Sequence, residues 1–227
     1  MQSWEVIDHE LVPDHDGVIY LMARGDEYVI AVDGRELMGT DKHGSEMALA
    51  DVACDRLATL EDARILIGGL GMGFTLAAAL NRAGSRGQVT VAELLPSVVR
   101  WNQGPAGKAS QYPQQDPRCS VYVGDVGDLV EQTPQPWSAI LLDVDNGPLA
   151  LTRPSNRWLY TRAGLHAAIE ALIPGGVLAI WSADADDSLT HRLQETGFDV
   201  EMIRFSEEGR PTYDDSGSHV LWMAQRP

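Results

Sequence analysis

From residue 63 to residue 182 the chain repeats one rhythm: a short continuous apolar run, a polar break, then a segment with helical spacing. Uninterrupted apolar runs of five or six residues are what parallel strands carry when helices cover both faces of their sheet. The runs predict strands at Ala63–Ile67, Gln88–Glu93, Cys119–Val123, Ala139–Asp143 and Gly176–Ser182. Helices are expected between them at Phe74–Ala83, Pro96–Trp101, Val126–Gln132 and Arg162–Leu172, and after them at Asp187–Gly197. Two final runs, FDVEMIRF and SHVLWMAQR, read as a terminal antiparallel pair joined by the polar SEEGRPTYDDSG. Ahead of the alternation, VIYLMA and EYVIAVD flank Arg24-Gly25-Asp26 within Gly17 to Met38, the pattern of a hairpin or small sheet. The segment Ser45 to Leu60 then places Met47, Leu49, Ala50, Ala53, Cys54 and Leu57 at helical spacing. The expected fold class is α/β: an open, mostly parallel sheet ending in an antiparallel strand, over residues 45–227. A small N-terminal β unit over 1–44 precedes it.

Charge narrows the partners. A formal net charge of -16, with lysine only at positions 42 and 108, repels phosphate backbones and anionic lipid alike. Neither nucleic acid nor a membrane is an expected partner, and no apolar stretch is long enough to span a bilayer. The acidic opening, MQSWEVIDHELVPDHDG, lacks the basic-then-apolar order of a signal peptide, so a cytoplasmic location is expected. Cys54 and Cys119 fit neither a disulfide framework nor a CxxC pair and read as small core residues.

The chemistry concentrates where strands end. The stretch ILIGGLGMGFTLAAAL runs from a strand through Gly68, Gly69, Gly71 and Gly73 into a helix, an arrangement that lets backbone approach a ligand. About twenty residues on, the next strand ends in VAE, placing Glu93 where a carboxylate can accept from ribose hydroxyls. The third ends in VGD, with Asp125 positioned for an adenine amino group, and the fourth in LLD, with Asp143 followed by Asp145-Asn146-Gly147-Pro148. Ligands of open α/β sheets sit beyond the carboxyl ends of the strands, so these acids should converge on one crevice.

The glycine stretch, then VAE, VGD and LLD, then the late IPGGVLAIWS, resembles the class I S-adenosylmethionine-dependent transferases, whose sheet is Rossmann-like. More narrowly the chain is similar to their spermidine synthase, or aminopropyltransferase, branch, with DGRELMGTDKHGSEMALA matching the segment that enters that branch's core. The resemblance implies that Gly68, Gly69, Gly71 and Gly73 line the cofactor's amino-acid end, that Glu93 holds the ribose, and that Asp125 and Val126 hold the adenine. It implies catalytic roles for Asp143, Tyr213 and Asp145, an acceptor site built from Glu46, Ser45, Asn146 and Tyr160, and a homodimer.

Three departures bear on the group transferred. Gly71 stands where that branch carries an aspartate for the amine of decarboxylated S-adenosylmethionine; bare N–H groups there suit a cofactor that keeps its carboxylate. The Asp-Ser-Ser-Asp-Pro of the branch is here Asp143-Val144-Asp145-Asn146-Gly147-Pro148, and its Tyr-His/Gln-Glu is Gly44-Ser45-Glu46. The expectation is therefore S-adenosylmethionine as cofactor and methyl transfer to a small, amine-containing acceptor. Aminopropyl transfer from decarboxylated S-adenosylmethionine is the alternative, and a binding protein without chemistry a third reading. No metal is expected: the acids at 143–145 and 184–187 resemble a magnesium site, but no lysine base accompanies them.

Overall fold

The structure, a computed structural model, describes residues 3–13, 17–144, 154–206, 208–212, 217 and 219–227. Among the described residues, β1 (Glu5–Leu11), β2 (Val18–Arg24), β3 (Glu27–Val32) and β4 (Arg35–Gly39) form an antiparallel sheet in sequence order. The helix α1 (Gly44–Asp55) leads into β5 (Arg64–Gly68), α2 (Phe74–Arg82), β6 (Gln88–Glu93), α3 (Pro96–Gln103), β7 (Cys119–Val123), α4 (Val126–Glu131) and β8 (Trp137–Leu142). Next come α5 (Arg162–Ala171), β9 (Leu172–Ser182), α6 (Asp187–Thr196), β10 (Asp199–Phe205), the short β11 (Pro211–Thr212) and β12 (His219–Gln225). The second sheet has the order β11-β10-β12-β9-β8-β5-β6-β7. From β9 to β7 its neighbours are parallel, and β12 enters antiparallel between β9 and β10.

Each parallel strand is apolar on both faces because both are covered. Ile65, Ile67, Val89, Val91 and Leu141 point into a core shared with α1, α2, α3 and the N-terminal sheet. Leu66, Ile140, Leu142, Leu178 and Ile180 point the other way, against α4, α5 and α6. Trp222 of β12 is fully buried in that second layer, its Nε1 donating to Thr190 Oγ1 at 2.8 Å. Burial of this kind on two faces supplies most of the stabilisation, at about 25 cal/mol per Å² of apolar surface.

The alternating elements and the terminal antiparallel pair match the sequence pattern; the differences lie at the edges. The N-terminal unit has two strands more than the predicted hairpin. None of the residues of β1 is buried: Val6, Ile7 and Leu11 are exposed, and Asp8 and Glu10 reach α3 with their carboxylates. β9 starts at Leu172 rather than Gly176, since Gly175 and Gly176 pair with Arg226 and prolong the ladder toward β12. α1 stops at Asp55 rather than Leu60: the Arg56 and Leu57 N–H groups bond three residues back, to Ala53 and Cys54, and close the last turn.

The two sheets are joined by charge-assisted bonds from β1. Glu10 Oε2 accepts from the backbone N–H of Ser97 at 2.9 Å, and Asp8 Oδ2 accepts from Trp101 Nε1 at 2.8 Å. Ser97 lies in the first turn of α3, so Glu10 caps, from a distant strand, a helix end that its own residues leave uncapped. Replacing Glu10 by Ala should lower stability by about 1 kcal/mol, the scale of a lost helix cap. Urea denaturation of the two proteins measures it; an unchanged midpoint would show that the strand is not anchored through this bond.

Candidate active site

A cavity opens at the carboxyl ends of the parallel strands, with the N-terminal sheet as its roof. Strand order fixes the sequence of groups along its floor: Trp181 of β9, Asp143 after β8, Gly69 and Gly71 after β5, Glu93 of β6, then Asp125 after β7. This is the crevice in which open α/β sheets take ligands.

The glycine turn is held from below by a carboxylate. Glu93 is only 8% exposed; its Oε2 accepts from Leu70 N–H and its Oε1 from Leu95 N–H, both at 2.9 Å. Burial pushes the Glu93 carboxyl up, against the lowering effect of N–H groups from Leu95, Leu70, Leu94 and Gly71. Gly69, at φ +89°, passes so close to the Asp143 carbonyl that a Cβ there would strike it. Gly71, at φ +50°, is covered by Met38 of β4: a Cβ would collide with the Met38 thioether, whose Sδ accepts from Met72 N–H at 3.1 Å. Gly69 N–H donates to the Ala92 carbonyl and Gly73 N–H to the Leu70 carbonyl. The N–H groups of Gly69, Leu70, Met72 and Gly73 therefore have hydrogen-bond partners within the chain, and that of Gly71 acts on the Glu93 carboxyl.

The turn is thus engaged within the chain and covered by Met38 rather than open at Gly71. The missing aspartate does not leave bare N–H groups. It leaves a methionine side chain in its place.

At the other end two carboxylates meet. Asp143 Oδ2 accepts from the Thr75 hydroxyl at 2.7 Å, and Glu46, at the start of α1, accepts from the Ser45 hydroxyl at 2.7 Å. Burial, and then the charge of Glu46, push the Asp143 carboxyl up to about 7, against the bond from Thr75. A carboxyl poised there exchanges a proton near neutrality, as a general base for an amine requires. Asp125 is the N-cap of α4, accepting from Gly127 N–H at 2.8 Å, and lines the far end of the cavity.

Of the residues singled out in the sequence, the cavity wall includes Gly69, Gly71, Glu93, Asp125, Val126, Asp143 and Glu46. Gly68 instead packs against Val126 and Leu142, and Gly73 is the N-cap of α2 beside Asn102 and Ser110. Ser45 stands behind Glu46, as its hydrogen-bond donor. Tyr160 is buried in the α5 layer. Asp145, Asn146 and Tyr213 lie outside the described residues. Sequence reasoning missed the roof, where Ile30, Val32, Leu37 and Met38 face the floor, and Thr75, which orients Asp143. The roof gave no signal because aliphatic residues in a short strand read as core. Trp181 reads the same way, yet it lines the cavity, and its buried Nε1 has no hydrogen-bond partner among the described residues.

No protein-family model matches the chain, and no curated protein does. Solved structures do. Spermidine synthase from Thermotoga maritima superposes with a TM-score of 0.76 over 98% of this chain and 73% of its own, at 20% identity. The fold is that of the spermidine synthases. A spermidine synthase in complex with the transition-state analogue AdoDATO gives a TM-score of 0.75 at 19% identity, over 98% of this chain and 72% of that one. A probable spermidine synthase from Corynebacterium glutamicum gives 0.68 at 19%, over 97% and 79%. That likeness covers both the Rossmann-like sheet, with β12 antiparallel between β9 and β10, and the N-terminal sheet. Among the described residues no helix is long and apolar enough to cross a membrane.

The raised Asp143 pKa has a direct consequence for stability. Between the ordinary value of 3.8 and about 7 the folded protein keeps a proton that the unfolded chain releases. Stability contributed by this group is therefore present in full below the ordinary value and is lost as pH rises through about 7. Asp143→Asn should remove that slope: the stability difference between mutant and wild type, by urea denaturation, should shift toward the mutant from pH 4 to pH 8 and then level off. A difference independent of pH would show that burial and Glu46 do not raise this carboxyl in solution.

Proposed function

We propose that this chain is a transferase that moves an aminopropyl group from decarboxylated S-adenosylmethionine to the amine of a small acceptor. The single observation that carries the reading is the polarity of the site: it offers the carboxylates of Glu46 and Asp143 to a cation, while the N–H groups of Gly69, Leu70, Met72 and Gly73 at the glycine turn are already bonded within the chain. Glu46 and Asp143 stand beside the turn where the cofactor's tail would lie, so an ammonium on that tail is attracted and a carboxylate is repelled. The spermidine synthases that share the fold support the same choice.

In this reading Glu93 would accept from the ribose and Asp125, beside Val126, from the adenine. The bound nucleoside supplies an electrophilic carbon with a thioether as leaving group. The protein aligns the nucleophile and manages its proton. Thr75 holds Asp143 in place, and Asp143 takes the proton of the acceptor amine, freeing its lone pair for in-line attack. Glu46, supported by Ser45, holds the positive charge that the amine brings. Water is kept out by the roof of Ile30, Val32, Leu37 and Met38. The methyl transfer expected from Gly71 rested on free N–H groups, whereas those of Gly69, Leu70, Met72 and Gly73 bond within the chain.

Isothermal titration calorimetry tests this reading directly. Decarboxylated S-adenosylmethionine should bind at least ten times more tightly than S-adenosylmethionine. Equal affinities, or the reverse order, would overturn it in favour of methyl transfer.

A further inference from the structure

One peptide of the glycine turn is gripped at both of its ends. The Gly71 carbonyl accepts from Asn102 Nδ2 at 2.6 Å, and the N–H of the same peptide, that of Met72, donates to Met38 Sδ at 3.1 Å. The two side chains come from different elements: Asn102 from the last turn of α3, Met38 from β4. Asn102 is 1% exposed, and its remaining amide N–H donates to the Val98 carbonyl, one turn back in α3, at 3.0 Å. With both N–H groups committed to carbonyls, the orientation of this amide is fixed.

A glycine needs such a grip. Gly71 stands at φ +50°, and without a Cβ it can take either sign of φ, so the peptide after it is free to turn over unless something holds it. Turned over, it would point a carbonyl oxygen at the Met38 sulfur, acceptor against acceptor, and an N–H at the Asn102 amide nitrogen, donor against donor. Each side chain therefore selects the same orientation. Both are set by the N-terminal sheet. β4 belongs to it, and β1 holds α3 through Glu10 on the Ser97 N–H and Asp8 on Trp101, the residue before Asn102.

We propose that Asn102 and Met38 are positioning residues of the nucleoside site, a lock that keeps the Gly71–Met72 peptide in one orientation before any ligand arrives. Gly69 and Gly71 line the cavity beside Glu93, so a turn that fluctuated there would have to be ordered by the ligand, at a cost in affinity. This rests on the transferase reading above for the identity of the ligand and adds the residues that preform its site. Neither side chain reacts; both act through the backbone held between them.

Two readouts test the lock: hydrogen exchange of the backbone amides by NMR, and the affinity of the folded protein for 5′-methylthioadenosine, the nucleoside left after aminopropyl transfer, by calorimetry. Asn102→Leu, which keeps the bulk and removes the donor, should speed exchange of the Met72 amide and weaken nucleoside binding, each by about tenfold, the scale of one lost hydrogen bond. Met38→Leu, which removes the sulfur from the other end of the peptide, should act in the same direction by about threefold, since a thioether is a weak acceptor. Thr190→Val strips a bond from Trp222 in the opposite layer and should leave both readouts unchanged, which separates the lock from a general loss of stability. Met72 exchange unchanged in Asn102→Leu and Met38→Leu would overturn the proposal, and so would faster exchange with undiminished nucleoside affinity. If the wild-type protein does not bind the nucleoside, the transferase reading fails, and faster exchange in the two variants still establishes the lock.

Discussion

The site depends on one buried carboxylate. Glu93 sits at the tip of β6 and draws the N–H groups of Leu70 and Leu95 to itself, tying the turn after β5 to the turn after β6. Burying a carboxylate is costly unless it is hydrogen-bonded, and these backbone donors are what make the position tolerable. The same bonds fix the path of Gly69 and Gly71, and hence how closely backbone passes the Asp143 carbonyl. A turn held in this way is formed before any ligand arrives, which spares the ligand the cost of ordering it. With the turn fixed, the positions of Thr75 at the start of α2 and of Asp143 across from it follow.

Met38 then sets the character of the tail site. It comes from β4, in the other sheet, and occupies the space that a side chain at Gly71 would need. Its thioether is a weak acceptor for Met72 N–H and offers nothing to a carboxylate. The glycine and the methionine act as a pair: one makes room, the other fills it. The cavity is therefore anionic at Glu46 and Asp143 and apolar above, a combination that follows only from the meeting of the two sheets.

The parallel sheet and its crevice were legible because continuous apolar runs and strand-end acids are local signals. Glu93, Asp125 and Asp143 could be placed along the floor from the motifs VAE, VGD and LLD alone. The roof was not legible, because the aliphatic residues at 30, 32 and 37 look the same whether they face a core or a cavity. β1 was hidden for the opposite reason: Asp8 and Glu10 reach α3 with carboxylates, so the strand lacks the apolar alternation that marks a half-buried strand. Gly71 was expected to leave bare N–H groups, and the structure shows the turn covered by Met38. A missing side chain does not by itself expose backbone, since here the N–H groups bond to Glu93 and Met38, which no local pattern links to the turn.

The most direct measurement of the account is the mass of the product. The protein is incubated with a pool of small amines and equal amounts of S-adenosylmethionine and its decarboxylated form, and the amines are analysed by mass spectrometry. A cavity anionic at Glu46 and Asp143 yields an amine heavier by an aminopropyl group, and the yield collapses in Asp143→Asn. An amine heavier by a methyl group would contradict it.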